Sequence, residues 1–152
     1  MRKEIDDFKV KFSNDRNLSF IAEPGRYYVT RTTTVASIIH SRKGGKGNTQ
    51  ALYLDNGIYG SFNGVKYDDC RPVAIKLTSA LDSNKEPNEK IPTAVFGPTC
   101  DGADMMCKSS ETLLERAEIG EWLIFKDMGA YSDTASFAFN GITHKPVRLY
   151  CI

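Results

Sequence analysis

The feature that most constrains the fold is a series of short segments rich in threonine, valine, tyrosine and phenylalanine, which begins at Tyr27 and is interrupted by glycine and asparagine turns. β-Branched and aromatic residues favour strands, and frequent turns favour antiparallel neighbours. The pattern therefore predicts a mainly β domain, arranged as an antiparallel Greek-key barrel or sandwich. The predicted strands are Tyr27 to His40, Gln50 to Leu54, Arg71 to Leu77, Thr93 to Phe96, Glu121 to Phe125 and Pro146 to Cys151.

The residues before Tyr27 follow a different pattern. Apolar side chains recur with helical spacing from Lys3 to Phe12, which predicts a short helix. The apolar run from Leu18 to Ala22 predicts a buried strand that stops at Glu23-Pro24-Gly25. A helix followed by a strand is typical of a parallel α/β unit, so this region is predicted to differ in fold class from the β domain that follows it.

Composition and spacing predict two loops and one further helix after Tyr27. Ser41 to Asn48 is rich in glycine but lacks the spacing of a phosphate-binding loop, so a hairpin tip is expected. Asp82 to Lys90 is polar and contains proline, which predicts a solvated loop. Ser110 to Glu118 carries its apolar residues on one helical face and is predicted to be a helix.

Charge and cysteine content narrow the range of partners. The chain of 152 residues has 20 Lys and Arg against 19 Asp and Glu, so no broad positive field is available for nucleic acid or an anionic membrane. Its apolar runs are too short to cross a bilayer, and we expect a soluble, cytoplasmic protein.

The 4 cysteines lack the spacing of a zinc site or of a disulfide framework, so reduced thiols and no metal are expected.

The segment Glu23 to Tyr28, with the sequence EPGRYY, places polar chemistry where a buried strand is predicted to end. Arg26 offers a fork of donors suited to a phosphate, and Glu23 could pair with a protonated ring nitrogen. A Glu-Arg salt bridge beside a turn would have the same sequence, so the segment alone leaves both interpretations open.

Two further clusters also follow predicted strands. Gly97 to Asp104 combines two carboxylates with the thiol of Cys100, although a buried cysteine beside a capping aspartate would give the same pattern. Asp127 to Ser132 presents the hydroxyl of Tyr131, which suits a phosphate or a backbone carbonyl.

These clusters occur in the same order in the ornithine, diaminopimelate and arginine decarboxylase family, which the chain resembles along nearly its whole length. Two further motifs match in register, Gly57 to Asn63 (GIYGSFN) and Phe139-Asn140-Gly141. Motifs in one shared order are far more specific than any one of them. The resemblance implies an amino-acid decarboxylase, a carboxy-lyase that uses pyridoxal 5'-phosphate.

The resemblance also implies a division of the chain. In that family an α/β barrel holds the cofactor, a β domain follows, and active sites form between the barrel of one subunit and the β domain of its dimer mate. Met1 to Arg26 would then be the last helix and strand of a barrel, and Tyr27 to Ile152 the carboxy-terminal β domain. The family's cofactor-binding lysine lies near the start of the barrel, and no lysine here lies in that motif. The chain is therefore expected to carry one half of a shared site and to be inactive alone.

Carried over residue by residue, the resemblance assigns the cofactor contacts. Glu23 would keep the pyridine nitrogen protonated, and Arg26, after the turn at Gly25, would bind the cofactor phosphate together with Tyr131. Cys100 is the candidate catalytic residue, which would cross the dimer interface and direct protonation toward the amine product.

Substrate and interface residues follow in the same way. Asp68 and Asp101 match the family's pair of carboxylates for the distal ammonium of ornithine, so the implied reaction gives putrescine and carbon dioxide in polyamine biosynthesis. Tyr59 and Phe139 match aromatic positions at the dimer interface, and Asp104 matches an aspartate that pairs with a lysine of the other subunit. The implied partners are ornithine and a second copy in a homodimer, with an antizyme-type regulator as a further candidate.

Some residues depart from the family pattern. Phe96 stands where tryptophan is expected in many relatives, and Ser132-Asp133 replaces a Thr-Val type pair. Two alternatives stay open, a family decarboxylase for another basic or diamino acid and a non-catalytic homologue like the antizyme inhibitors. Paired aspartates disfavour diaminopimelate, whose distal end carries a carboxylate.

Overall fold

The computed structural model describes residues 2–12, 19–44, 47–77 and 89–150. Its first helix, α1 (Arg2–Lys11), confirms the helix predicted at this end of the chain. None of the helices in the described ranges has the length and apolar character that crossing a bilayer requires. The remaining helical segments are short: α2 (Arg26–Val29), α3 (Gly64–Tyr67) and 3-10 turns at Thr30–Thr32 and Asp133–Ala135.

A seven-stranded sheet organises the described chain and confirms the prediction of a mainly β fold. The strands are β1 (Val35–Gly44), β2 (Gln50–Leu54), β3 (Ile75–Lys76), β4 (Lys90–Phe96), β5 (Met105–Cys107), β6 (Leu113–Glu115) and β7 (Trp122–Phe125). Their order is β3-β7-β1-β2-β4-β5, and β6 pairs with the first residues of β4.

One strand pair departs from the antiparallel pattern. β2 and β4 run parallel, with Gln50 opposite Thr93 and Tyr53 opposite Phe96. Parallel neighbours need a long connection, and the chain between these strands is long enough to hold α3 and β3. The prominent turn signals in the sequence did not reveal this crossover.

Alternation along the strands decides which face becomes the core. In β2 and β4 every second residue is buried, and the intervening residues are partly exposed. Because side chains alternate with a period of two, a slip of one residue would expose the whole apolar set. Full burial of one such side chain contributes about 1.5–3 kcal/mol. The largest fully buried apolar side chains are Ile39, Leu52, Leu54, Phe62, Val95, Leu123 and Phe125.

Gln50 forms a buried polar bridge that holds β2, β4 and β6 together. Its Nε2 donates to Thr93 Oγ1 and to the Glu115 carbonyl, each at 3.0 Å, and its Oε1 accepts from Ala117 N at 3.1 Å. The predicted helix over Ser110 to Glu118 is therefore wrong. The sheet satisfies the backbone there and buries Leu114 and Ala117 while Leu113 stays exposed, so tertiary pairing overrides the local pattern.

The strand predicted from Leu18 to Ala22 is not formed in its described part. Residues 19–22 are neither helix nor strand, and Phe20 and Ile21 are 46% and 83% exposed. A strand needs a neighbour to accept its backbone hydrogen bonds, whereas this segment contacts α1, where Phe20 meets the edge of Phe8 at 5.6 Å. The proposed boundary after Arg26, between the end of an α/β barrel and the β domain, stays a prediction.

The strand predicted from Tyr27 to His40 is correct only from Val35 onward. Two threonines fold the first part into helical turns, because Thr30 Oγ1 donates to the Arg26 carbonyl and Thr32 Oγ1 donates to the Val29 carbonyl, each at 2.7 Å. Such local bonds compete with strand pairing.

Other boundaries also shift. The predicted strand Arg71 to Leu77 shrinks to β3, and the strand β5 was not anticipated. Residues 146–150 form no strand, and Val147 and Leu149 are each 88% exposed, while Cys151 lies outside the described residues. The hairpin between β1 and β2 is confirmed, although β1 extends to Gly44. Most of the predicted loop Asp82 to Lys90 lies outside the described residues, and Lys90 begins β4.

Candidate functional site

Most of the predicted site residues fall into two clusters, and α3 contributes to both. Asp68 caps the carboxyl end of α3, and the positive charge of Lys66 within it acts on Asp101. The arginine cluster consists of Gly25, Arg26, Asp68 and Tyr131. The tyrosine cluster consists of Tyr59, Asp101, Phe137 and Phe139.

Arg26 is the centre of the arginine cluster. Its guanidinium forms an ion pair with Asp68 Oδ2, and its Cζ lies 5.1 Å from the centroid of the Tyr131 ring. A Cβ added to Gly25 would lie 3.4 Å from the Tyr131 hydroxyl, so this oxygen lies close to the backbone that precedes α2. The predicted phosphate contacts and one predicted substrate carboxylate are therefore brought together.

The donors of the arginine cluster fit a phosphate group. The side chains of Arg26 and Asp68 are 45% and 47% exposed, so an anion from solvent can reach the guanidinium. An ion pair at this exposure contributes roughly 0–1 kcal/mol. It therefore does not prevent the remaining guanidinium donors from binding a second anion. The Tyr131 hydroxyl is a further donor in the same cleft, which Ser61 and Cys70 also line.

The backbone of Tyr131 is held in an unusual conformation. Its φ of 55° lies in the left-handed region, which costs a bulky residue on the order of 1–3 kcal/mol. The buried side chain of Asn63 offsets this strain, since its Nδ2 donates to the Ser132 carbonyl and, at 2.8 Å, to the Gly60 carbonyl. The turn that contains Asn63 is thus tied to the backbone of the residue after Tyr131.

In the tyrosine cluster, the hydroxyl of Tyr59 donates a hydrogen bond to Asp101 Oδ2, and Ala103 N donates to Asp101 Oδ1 at 2.9 Å. The bond to the carboxylate raises the pKa of Tyr59 to about 12, and burial and the nearby aspartates add to this effect. The same bond lowers the pKa of Asp101, as do the Ala103 amide and the charge of Lys66. Asp101 is therefore an ionised carboxylate at neutral pH, suited to binding a cation.

Two phenylalanines support the ring of Tyr59. Phe139 stacks on it with centroids 4.2 Å apart and an interplanar angle of 15°, and Phe137 meets it edge-on at 5.2 Å. Phe139 and Ile142 exchange two backbone hydrogen bonds around the Asn140-Gly141 turn, where both residues have the positive φ that a tight hairpin requires. The hairpin brings together two residues that were predicted for the dimer interface.

Asp104, the third residue predicted for the interface, is buried at 1% exposure. Its Oδ1 accepts from Ile58 N at 2.9 Å, and its Oδ2 accepts from Thr99 N at 3.1 Å and Thr99 Oγ1 at 2.7 Å. A Cβ added at Gly57 would lie 2.3 Å from this carboxylate, and one added at Gly97 would lie 2.2 Å from it, so both positions need glycine. Asp104 thus organises its own chain, and its contact with a partner's lysine stays a prediction.

The remaining predicted residues lie at the surface. Glu23 is exposed on the segment before α2, and Cys100 presents an exposed free thiol in the turn after β4. Asp68 and Asp101 contact different groups, so this structure does not join them as one carboxylate pair. Among the described residues, no group of three or more His, Cys, Asp or Glu side chains could hold a metal ion.

The sequence did not reveal the residues that support these clusters. Ser61 and Asn63 lie in the GIYGSFN motif, and Asp133 lies at a departure from the family pattern, but the sequence predicted no contact for any of the three. Their roles depend on which distant segments they contact, and spacing along the chain carries no signal of that.

Comparisons with known proteins agree on one family. Residues 27–129 match the family described as "Pyridoxal-dependent decarboxylase, C-terminal sheet domain". The chain is 35% identical to an ornithine decarboxylase of Caenorhabditis elegans, in an alignment that covers 96% of this chain and 36% of the relative. It is 34% identical to antizyme inhibitor 2 of Xenopus laevis, over 90% of this chain and 31% of the relative. The chain thus spans about a third of the length of these relatives.

Solved structures show the same relationship. The arginine decarboxylase of Paramecium bursaria Chlorella virus, bound to agmatine, superposes with a TM-score of 0.76 at 25% identity, over 93% of this chain and 37% of that chain. The lysine/ornithine decarboxylase of Vibrio vulnificus, complexed with cadaverine, superposes with a TM-score of 0.69 at 30% identity, over 91% of this chain and 37% of that chain.

Proposed function

The chain belongs to the pyridoxal-dependent decarboxylases and contains their C-terminal sheet domain, and from this premise we propose that it acts as the carboxy-terminal part of an ornithine decarboxylase. The reaction is the conversion of ornithine to putrescine and carbon dioxide. The chain contributes cofactor and substrate contacts to a site that it shares with a dimer partner.

The observation that carries this proposal is the contact of Arg26 with Tyr131, whose ring centroid lies 5.1 Å from the guanidinium carbon and whose hydroxyl lies beside Gly25. One phosphate would accept from both side chains. Arg26 and Tyr131 would hold the phosphate of pyridoxal 5'-phosphate, and Glu23 would keep the ring nitrogen protonated. When bound, the cofactor supplies an electron sink for the electrons released as carbon dioxide leaves.

The carboxylates give the preference for a diamino acid. The lowered pKa of Asp101 keeps it ionised, so it presents a negative charge to the distal ammonium of ornithine. Asp68 is the second carboxylate for the same ammonium, and its weak ion pair with Arg26 leaves it free to exchange partners. Two anions around one cation favour a diamino acid over a substrate with a neutral or acidic end.

The site is completed across a dimer interface. Tyr59 and Phe139 would face the partner subunit, and the buried carboxylate of Asp104 holds the turn that carries Cys100 and Asp101 beside them. The exposed thiol of Cys100 would reach the partner's substrate and deliver the proton that directs the product toward the amine.

The similarity to antizyme inhibitor 2 of Xenopus laevis favours a second candidate function, a non-catalytic homologue that binds an antizyme-type regulator. The two functions differ in a measurable way. A decarboxylase binds the cofactor and turns over ornithine, whereas a binding homologue does neither while still forming a complex with the regulator.

The experiment is to assay putrescine formation from ornithine by the full-length protein that contains this chain, with lysine and arginine as competing substrates. We expect turnover with a preference for ornithine. The 152-residue chain assayed alone is the matched control, and no turnover is expected from it because the resemblance assigns the cofactor-binding lysine to the barrel. A full-length protein without turnover or cofactor binding would favour the binding homologue.

A further inference from the structure

A buried polar network outside the two clusters is centred on Ser61, which is 3% exposed. Ser61 Oγ lies 2.7 Å from Asp133 Oδ1, 2.9 Å from His144 Nε2 and 3.1 Å from Asn56 Nδ2. Asp133 belongs to the Ser132-Asp133 pair that departs from the family pattern, so the resemblance does not account for this network.

The direction of each bond follows from the donors available. Asn56 Oδ1 accepts from Gly57 N at 2.9 Å and from Ser61 N at 3.0 Å, so its Nδ2 donates to Ser61 Oγ. A carboxylate oxygen only accepts, so the single hydroxyl proton of Ser61 goes to Asp133. His144 Nε2 must then donate to Ser61, which assigns the ring proton to Nε2.

This arrangement is not that of a hydrolytic triad, although it contains serine, histidine and aspartate. In a triad the carboxylate orients the histidine and the histidine accepts the serine proton. Here Asp133 takes the serine proton itself, and Ser61 Oγ is filled by one donated and two accepted bonds. The network therefore holds segments together and offers no nucleophile.

The network joins the chain segments that carry the two clusters. Ser61 lies two residues after Tyr59, and Asp133 lies two residues after Tyr131. His144 follows the hairpin that carries Phe139, and the amide of Phe137, just before that hairpin, donates to the Tyr59 carbonyl at 3.0 Å.

We propose that Asp133 is a positioning residue that holds Tyr131 beside Arg26 and, through Ser61 and His144, holds Phe139 against Tyr59. The assignment of these two contacts to cofactor and substrate binding rests on the proposed function, whereas the contacts themselves do not. The geometry of the arginine cluster is therefore coupled to that of the tyrosine cluster, because one change at Asp133 disturbs both.

The first test is structural and needs no activity. Proton NMR on the full chain measures the proximity of the Tyr59 and Phe139 rings and of Arg26 to the Tyr131 ring. Asp133→Val removes the acceptor, so both proximities are expected to be lost. Asp133→Asn keeps an oxygen that accepts from Ser61, so both are expected to persist. Arg148→Ala is the matched control, because it removes a different partner of the carboxylate, at 3.3 Å, and leaves Ser61 and His144 beside it.

The second test measures the same variants in the full-length enzyme. Asp133→Val is expected to weaken cofactor affinity and to raise KM for ornithine, each roughly fivefold or more, with a smaller change in kcat. Asp133→Asn and Arg148→Ala are expected to keep the parental values. If the ring contacts respond as described while the parent binds no cofactor, the proposed function fails and the positioning role stands.

Three results would overturn the inference. They are unchanged ring contacts in Asp133→Val, loss of only one of the two contacts, and an Asp133→Asn variant that loses both. If Asp133→Val does not fold, Ser61→Ala replaces it, because that change removes only a hydroxyl. Intact contacts in Ser61→Ala would then overturn the proposal, and loss of both would support it.

Discussion

Tyr59 donates a hydrogen bond from its phenol hydroxyl to the carboxylate of Asp101, and this bond links the ionisation of the two side chains. The pKa of Asp101 is lowered, so the bond stabilises the fold at neutral pH and its contribution is lost as the pH falls through that lowered value. The pKa of Tyr59 is raised to about 12, so the contribution is also lost as the pH rises through that value. Between these limits Asp101 is held in one charged state and one orientation.

Removal of the hydroxyl tests this link. In Tyr59→Phe the carboxylate loses its main stabilising donor, so Asp101 is expected to take up its proton at a higher pH than in the parent. The measurement is an NMR titration of the Asp101 carboxyl carbon. Tyr53→Phe is the matched control, because Tyr53 stacks on Phe96 at 5.2 Å and its loss leaves Asp101 untouched. An Asp101 titration that is the same in both variants would refute the link.

Asp104 is predicted to be a requirement for folding. Asp104→Ala leaves two backbone amides and the Thr99 hydroxyl without an acceptor, which should lower the free energy of unfolding by about 2–5 kcal/mol. Asp104→Asn should also destabilise, because an amide nitrogen then replaces one accepting oxygen. Urea denaturation measures both, with Asp7→Ala in the exposed helix α1 as the control. Equal stability of Asp104→Ala and Asp7→Ala would contradict this account.

Arg26 is predicted to hold the cofactor phosphate in the full-length enzyme. A bidentate charged contact contributes about 1.5–3 kcal/mol, so Arg26→Ala should weaken cofactor affinity roughly 10- to 150-fold. Spectroscopic titration with pyridoxal 5'-phosphate measures the change, and Arg31→Ala, an exposed arginine in the 3-10 turn after α2, serves as the control. If Arg26→Ala bound the cofactor with parental affinity, Arg26 would have only a structural role, as the ion-pair partner of Asp68.

The sequence predicted the class of the fold better than the boundaries of its elements. Alternation in β2 and β4 was readable because one face of each strand is buried. The residues from Tyr27 to Thr34 were misread because threonine favours strands, and only the structure shows that Thr30 and Thr32 bond to their own backbone.

Residues of the candidate site could be selected from local motifs, whereas the contacts between distant segments could not be predicted. Arg26 and Tyr131 were identified from motifs far apart in the chain, and the structure brings them together. The burial of Asp104 and the bond between Ser61 and Asp133 could not be predicted, because each depends on how turns from separate segments pack.

Cys100 is predicted to act after substrate binding. In the full-length enzyme, Cys100→Ala should lower the rate of putrescine formation much more than it changes the affinity for ornithine, because the thiol is proposed to deliver a proton late in the reaction. Some turnovers should also give side products. Product analysis by chromatography measures both effects, and a variant with the parental rate and product distribution would assign Cys100 to packing alone.

Asp101 is proposed to serve the active site of the partner subunit, and mixing of two inactive variants tests this role. Asp101→Ala subunits are combined with subunits that lack the cofactor-binding lysine, and exchange is verified with differently tagged chains. Each variant alone should be inactive. In a mixed dimer both lesions fall in one shared site and the other site is intact. Because half of randomly paired dimers are mixed and each has one intact site, recovery of about a quarter of parental activity is expected. No recovery despite verified exchange would show that Asp101 acts within its own subunit and would contradict the shared site.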